Sequence, residues 1–308
     1  MKALVVRVRA TGWEGWVRHS ILVAARSPLP IEKLATEVTG EKRVTFAFSL
    51  GTPGPIQKLT VQVMRADGLI LGYLKMPLKT GAENRLRHEA ETVEKLYRFA
   101  KLRAHIPRLL FAGSWAGRYV VFQSAIEGEA GPVHITERHE EFLKILHSCE
   151  PSMTPGRKLV QRTAQQWEKV APRLETHWQR LGREALRIAS RELDSISIDC
   201  GVQHGDFAPW NTRVQPQGLI LFDWESAASE APVLWDRFHF LVQTECHLNV
   251  RHDESADVRG GNRAVYLLYL LNSVVQLTGE KSVAFTFSYR EKELRKHVLA
   301  PALTAVAD

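Results

Sequence analysis

From Val44 onward the chain alternates apolar and polar positions. Val44, Phe46 and Phe48 mark one face, and Leu59, Val61 and Val63 repeat the same period of two. That period predicts two half-buried strands, joined by the turn-forming stretch Ser49-Leu50-Gly51-Thr52-Pro53-Gly54-Pro55. Asp67-Gly68 is a hairpin signal, and the strand after it runs from Leu69 to Leu74 and delivers Lys75 at its end. Residues 43–75 therefore read as an antiparallel meander with a glycine-containing loop between its first two strands. The period then changes. Leu86, Ala90, Val93, Tyr97 and Ala100 recur at spacings of three and four, which predicts a helix from about Gly81 to Arg103. Glu89 lies on that apolar stripe, and a carboxylate there requires a cationic partner, because burying it alone is costly.

Ile106-Pro107 ends the helix, and Leu109–Phe111 and Tyr119–Phe122 read as two further strands with a turn around Gly113 and Gly117. After Gln123 the character shifts. Residues 137–195 are rich in helix formers, with Trp167, Leu174, Trp178, Leu181 and Leu186 as expected core positions. The pattern gives three parts: an extension at 1–42, a β-rich lobe at 43–123 and a mainly helical lobe at 124–308, with the connection near Gly128 and Gly131. The extension holds a strand over Ala3–Val8 and a short helix over Ile31–Val38 after Pro30, and it is expected to pack on the first lobe.

The 308 residues are 44% hydrophobic and 24% charged, a globular balance, with a formal charge of +7 and a pI of about 9.4. A basic surplus fits an anionic partner such as a nucleotide. The basic residues are scattered, without the dense patch of a nucleic-acid-binding protein. The three cysteines, Cys149, Cys200 and Cys246, form no CxxC pair, which argues against a zinc site or a disulfide framework and favours a reducing compartment. No apolar run is long enough to cross a bilayer, and arginines interrupt the apolar residues at the N-terminus. A cytoplasmic protein is expected.

The chemistry concentrates in His204-Gly205-Asp206-Phe207-Ala208-Pro209-Trp210-Asn211, followed by the apolar run Leu219–Phe222 that ends in Asp223-Trp224-Glu225. Phosphoryl transfer explains why these residue types belong together. One carboxylate sits beside the attacking hydroxyl and accepts its proton. An amide oxygen and a second carboxylate hold Mg²⁺, whose charge offsets that of the triphosphate. The interval of five residues between Asp206 and Asn211 matches the catalytic-loop spacing of protein kinases. Lone alternatives exist for each residue: a turn residue or helix N-cap for Asp206, a turn residue for Asn211 and a strand-end cap for Asp223.

His204-Gly205-Asp206, Asn211 and Asp223-Trp224-Glu225 resemble the signature of the aminoglycoside phosphotransferase and choline kinase-like family. The resemblance covers roughly residues 43–240 and implies an α+β, protein-kinase-like fold of two lobes. It implies that Asp206 is the catalytic base, that Asn211 and Asp223 bind Mg²⁺, and that His204 braces the loop. Lys75 would hold the α- and β-phosphates of ATP and pair with Glu89; Gly51 and Gly54 would lie in the loop over the phosphates. The segment Val120–Ala125, with Gln123 in it, would be the hinge beside the adenine. Asp236 resembles a residue that braces the catalytic loop, and capping the next helix is the other reading. His134, His139 and His147 are expected to be surface or packing histidines, and Trp210, Trp224 and Trp235 to be core.

Beyond Ser226 there are ten acids and nine bases, so the region lacks the acidic excess that a polycationic antibiotic would select. The expected acceptor is a small hydroxyl compound, a sugar, an amino alcohol or an antibiotic-like molecule, with a neutral or mildly anionic one preferred. The competing expectation is an inactive kinase-like binding or scaffold protein, suggested by the absence of a GxGxxG loop. A protein substrate is disfavoured, since Trp224-Glu225 follows Asp223 where a protein kinase carries Phe-Gly.

Overall fold

The structure is a computed structural model that describes residues 2–10, 18–25, 29–252, 259, 262–279 and 284–299, with residues 2–25 described as backbone alone. Glu14, Asp253, Glu254, Asp257, Glu280, Lys281 and Asp308, which contribute to the charge pattern of the sequence, lie outside the described residues. In chain order the first elements are β1 (Lys2–Ala10), β2 (Arg18–Ala25), α1 (Pro30–Thr39), β3 (Val44–Leu50), β4 (Lys58–Arg65) and β5 (Ile70–Pro77). Then come α2 (Thr80–Tyr97), β6 (Leu109–Trp115), β7 (Arg118–Ser124), β8 (Glu129–Ala130), α3 (Glu137–His147), β9 (Ser152–Pro155), α4 (Gly156–Val170) and α5 (Thr176–Leu193). The rest are β10 (Ser197–Gln203), β11 (Thr212–Gln215), β12 (Gly218–Leu221), β13 (Ala228–Pro232), α6 (Trp235–Leu248), α7 (Arg263–Gly279) and α8 (Ala284–Leu299). Contacts group the chain into two compact units: Met1–Gly131 with Trp210–Ala227, and Pro132–Pro209 with Ala228–Asp308. Residues 210–227 join the first unit because the β11–β12 hairpin bonds to β8.

The first unit is built on a seven-stranded sheet in the order β2-β1-β3-β4-β5-β7-β6. Its neighbours are antiparallel except β1 and β3, which are parallel, so the N-terminal hairpin lengthens the sheet by two strands. One sheet face is the predicted period-two face: Phe46, Val61, Val63, Leu74, Val120 and Phe122 are buried there with Leu34 and Ala35 of α1. Pro30 opens α1, and Gly40 closes it in a left-handed conformation (φ 75°) with its N–H on Thr36 O at 2.9 Å. The opposite face holds α2 through Leu86 and Ala90 against Val121. This helix stops at Tyr97, short of the expected Arg103, and a 3-10 turn at Ala100–Leu102 carries the chain on. The β6–β7 turn uses Ala116 and Gly117, both at positive φ, the geometry that follows strand twist.

The second unit is mainly helical. Its core joins α4, α5, α7 and α8 through Leu159, Trp167, Trp178, Ala185, Ile188 and Leu294. In α7 the consecutive residues Tyr266–Leu271 are all buried, so this helix runs through the interior rather than showing a polar face. The strand β10, paired on either side with β9 and β13, leads directly to His204. Among the described residues no helix is long and apolar enough to cross a membrane.

Gly72 on β5 lies where a Cβ would meet Gln123 O at 2.3 Å and the Phe122 ring at 2.8 Å. Gly72→Ala must therefore push β7 away. It is expected to destabilise the protein by about 1–3 kcal/mol, read as a lowered midpoint in thermal unfolding. An unchanged midpoint would mean that β5 and β7 are not packed this closely.

Candidate active site

The sheet face carrying α2 also carries charge. The β4–β5 register sets Thr60 against Lys75 and Val61 against Leu74. Leu59, Val61 and Leu74 therefore point to the apolar core, while Lys58, Thr60, Tyr73 and Lys75 share the other side. Lys75 Nζ lies 2.5 Å from Glu89 Oε1 and 2.9 Å from Asp223 Oδ1. Lys58 Nζ lies 2.8 Å from Asp223 Oδ1 and 2.6 Å from Glu225 Oε2. The partner required for Glu89, which is fully buried, is thus Lys75. Outside this cluster, Arg85 approaches Glu225 at 3.6 Å and the His88 ring meets Ala227 O at 2.7 Å, so α2 is fastened to the segment after β12.

The turn that presents Asp223 is specific. Phe222 N–H donates to Asn211 O at 3.1 Å and extends the β11–β12 pairing to the level of Asn211. Asp223 then takes a left-handed conformation (φ 71°), which aspartate tolerates better than most residues. The buried Trp224 donates its indole N–H to Leu221 O at 3.0 Å and closes the turn.

Burial opposes the charges of this cluster, and the ion pairs overrule it for three of the four groups. For Lys58 burial is outweighed by Asp223 and Glu225, and for Lys75 by Asp223 and Glu89, so both ammoniums are held above their ordinary range. Burial would also raise Asp223, but Lys75 and Lys58 hold it well below the usual carboxylate range. Glu225 goes the other way: burial and then the charge of Asp223 push it up. The three carboxylates Glu89, Asp223 and Glu225 bring oxygen atoms within 4.8 Å of one another, the group among the described residues able to hold a metal ion. Oxygen donors of this kind suit a hard divalent cation.

Beside the cluster is a cavity of about 240 Å³ lined by Lys58, Thr60, Tyr73, Lys75, Gln123, Ser124, Ile126, Arg213, Phe222 and Asp223. One end is ionic, and Tyr73, Ile126 and Phe222 supply apolar surface, with the Arg213 guanidinium over the Phe222 ring at 5.2 Å. Gln123 donates from Nε2 to Glu89 Oε1 at 3.1 Å, so its side chain is engaged in the ion cluster. In the same segment the Ser124 and Ala125 N–H groups donate to Arg108 O and Leu71 O. Gly51 and Gly54 lie in the loop between β3 and β4. Gly51 N–H donates to Lys58 O at 2.9 Å, and Gly51 O accepts from Gln57 Nε2 at 3.0 Å. That loop abuts α2: a Cβ on Gly81 would sit 2.8 Å from Pro55 O.

Asp206 belongs to the second unit. Gly205, at φ 81°, lets the chain turn before it. Asp236, buried at the start of α6, accepts from His204 N–H at 2.8 Å and Gly205 N–H at 3.0 Å, so it braces the loop. His204, also buried, accepts the Asp206 N–H on Nδ1 at 3.2 Å. Phe207 anchors the far side of the loop, stacked on Phe142 and edge-on to His139. His139 is a packing histidine: burial depresses its pKa to about 4, and its Nδ1 accepts from Thr136 N–H at the start of α3. The side chain of Asp206 meets His239 Nε2 at 3.1 Å. Trp224 and Trp235 are buried and Trp210 is exposed.

A family model described as the phosphotransferase enzyme family (APH) matches residues 73–260, more than half of the chain and the whole stretch from Lys75 through Asp223. The chain belongs to the phosphotransferase enzyme family. Solved structures agree on the fold. A thermostable mutant of aminoglycoside phosphotransferase APH(4)-Ia, in ternary complex with ADP and hygromycin B, has a TM-score of 0.61 at 13% identity, over 90% of this chain and all of that one. Choline kinase LicA from Streptococcus pneumoniae has a TM-score of 0.54 at 15% identity, over 87% of this chain and 98% of that one. The GDP complex of a mutant aminoglycoside 2'-phosphotransferase-IIIa has a TM-score of 0.55 at 13% identity, over 87% of this chain and 96% of that one. No curated protein matches. The expected protein-kinase-like fold, with an antiparallel N-terminal region and a mainly helical C-terminal one, is the fold observed.

Sequence reasoning passes over two residues of this phosphotransferase that the geometry brings forward, Lys58 and His239. Lys58 has a signal: it shares the parity of Thr60, opposite to Leu59, Val61 and Val63, on a strand whose other face is core. His239 has none, since it lies 33 residues from Asp206 in an apolar run. Lys58→Met removes one of the two cations at the ionic end of the cavity. A hydrogen bond to a charged group contributes about 1.5–3 kcal/mol, so the variant is expected to raise the KM for the phosphate donor about tenfold or more in a steady-state phosphotransfer assay. An unchanged KM would remove Lys58 from the site.

Proposed function

We propose that this phosphotransferase moves the γ-phosphoryl group of ATP to a hydroxyl of a small molecule. The observation that supports this reading is the cavity of about 240 Å³ with Lys58, Lys75 and Asp223 at one end and Tyr73, Ile126 and Phe222 elsewhere in its wall. Two ammoniums suit a triphosphate, and the apolar surface suits a purine ring. In this reading Lys75, oriented by Glu89, contacts the α- and β-phosphates. Gly51 and Gly54 lie in the loop that covers them, and the segment holding Gln123 lies along the base. The first unit is then the nucleotide-binding one, with residues 1–42 as its extension, and the second binds the acceptor.

Asn211 and Asp223 are the proposed Mg²⁺ ligands, with Glu225 as a further oxygen donor in reach. The donor set fits: Asp223 is held ionised by two lysines, and an amide and carboxylates are the ligand types that Mg²⁺ takes. When bound, the ion neutralises charge on the phosphate oxygens. Asp206 accepts the proton of the acceptor hydroxyl as its oxygen bonds to the γ-phosphorus. The bond from that phosphorus to the bridging oxygen breaks, and ADP leaves.

The acceptor is read from what the second unit leaves uncommitted. Glu245 takes both arms of Arg259 at 2.8 and 2.9 Å, Tyr266 donates to Glu293 at 2.8 Å, and Arg237 holds Glu140 at 2.5 Å. Among the described residues, carboxylates tied up in this way favour a neutral or mildly anionic alcohol over a polycation. Three free cysteines fit a reducing compartment, and we place the protein in the cytoplasm.

The test is ATP turnover with Mg²⁺ against a panel of hydroxylated metabolites, comparing the wild type with Asp206→Ala. The expected outcome is transfer to one class of acceptor by the wild type and a loss of at least about a hundredfold in kcat, with nucleotide affinity kept. Full activity in the variant on a true substrate would contradict the proposed role of Asp206.

A further inference from the structure

Arg290 on α8 is 1% exposed and donates from Nε to the Ser273 hydroxyl on α7 at 3.2 Å. A guanidinium can only donate. Ser273 Oγ is therefore an acceptor there, one turn along α7 from Tyr269. Burial pushes the Tyr269 phenol up to about 12, so it keeps its proton at neutral pH. That hydroxyl lies 3.3 Å from His239 Nδ1 on α6. Asp206 as a carboxylate only accepts, so the ring carries its hydrogen on Nε2, and Nδ1 accepts from the protonated phenol. Nε2 is the atom 3.1 Å from Asp206 Oδ1.

We infer that His239 is a positioning residue for the catalytic carboxylate, its tautomer fixed by the donor-to-acceptor order Tyr269–His239–Asp206. Every member lies in the second unit. The opposite tautomer has a sponsor in Gln243, whose amide is 2.9 Å from the same Nε2. With the amide nitrogen inward, Gln243 would donate to Nε2 and break the bond to Asp206. The acceptor-only carboxylate at Nε2 and the protonated phenol at Nδ1 decide against that, and the Gln243 oxygen turned inward becomes a second acceptor of the same N–H. The bond from His239 holds one carboxylate oxygen and so sets the direction in which Asp206 meets an acceptor hydroxyl. A general base needs that geometry before its basicity counts. Other charged and titratable groups surround this site: His247 is depressed by burial and senses Arg290, His239 and Asp206, and Asp236 braces the loop backbone.

The inference rests on Asp206 being the base, and the experiment separates the two. The full chain is compared with Asp206→Ala, His239→Phe, His239→Gln and Tyr269→Phe for kcat, KM of both substrates, nucleotide affinity and thermal midpoint. His239→Phe is expected to lower kcat roughly tenfold or more with the KM for the phosphate donor unchanged. His239→Gln puts an amide N–H back near Nε2 and is expected to recover most of the loss. Tyr269→Phe, which keeps the ring in its packing, is expected to lower kcat by a smaller factor without a shift in nucleotide affinity. Should His239→Phe fail to fold, Tyr269→Phe and His239→Gln still carry the test. Wild-type kcat in either phenylalanine variant, or a glutamine variant no better than the phenylalanine one at equal stability, overturns the inference while a dead Asp206→Ala leaves the base assignment standing. An active Asp206→Ala overturns both.

Discussion

The ion pair between Lys75 and Glu89 is the constraint on which the first unit depends. Glu89 is fully buried on an otherwise apolar helix face, and Lys75 is nearly as buried at the end of β5. Removing one partner of such a pair costs about 3–5 kcal/mol because the other charge is left uncompensated. The pair therefore fixes the height and rotation of α2 over the sheet. Everything else in the cluster follows from that placement. Gln123 spends its amide on Glu89, and Asp223 brings its carboxylate to the same lysine. Arg85 and His88, one turn and one residue before Glu89, tie the helix to the segment that carries Asp223. A helix, two strands and a turn thus hold their charged side chains in one register, and charge fixed in place this way needs no reorganisation when a charged ligand arrives.

The second unit solves a different problem with the same economy. The loop from His204 to Asp206 is held in place without regular structure. Asp236 supplies rigidity by accepting from two successive backbone N–H groups of the loop, and Phe207 supplies it by packing among Phe142, His139 and Phe240. Polar and apolar anchors on either side of Asp206 fix the backbone that carries it, and its side chain meets His239 on α6.

Local signals make the meander, α2 and the demand of Glu89 for a cation legible in the sequence, while Lys75 as that cation follows from the family resemblance. Alternation locates β3 to β5, and a carboxylate on an apolar stripe demands a cation on chemical grounds alone. The resemblance of His204–Asn211 and Asp223–Glu225 to a family motif indicates the fold, which periodicity alone does not specify. What escapes is either long-range or too short to show a pattern. Lys58 reads as a solvated lysine beside a loop until Asp223, 165 residues later, is brought to it. His239 and Arg290 sit in helices where a histidine or arginine carries no local mark of its partner. The strands β9 and β13 span four and five residues with mostly exposed or half-buried positions, too little for a period to emerge. Apolar spacing overstates the length of α2, because Ala100 keeps that spacing while the backbone has already tightened into a 3-10 turn.

The central claim is that Asp223, held ionised by two lysines, is the anchor for a metal-bound triphosphate. Calorimetric titration of ATP with Mg²⁺ into the wild type and Asp223→Asn tests it most directly, because asparagine also tolerates the left-handed backbone at this position and removes the charge while keeping the shape of the side chain. The account predicts Mg²⁺-dependent binding in the wild type and a loss of at least about tenfold in affinity in the variant. Equal affinity in the two proteins, with or without the metal, would contradict it.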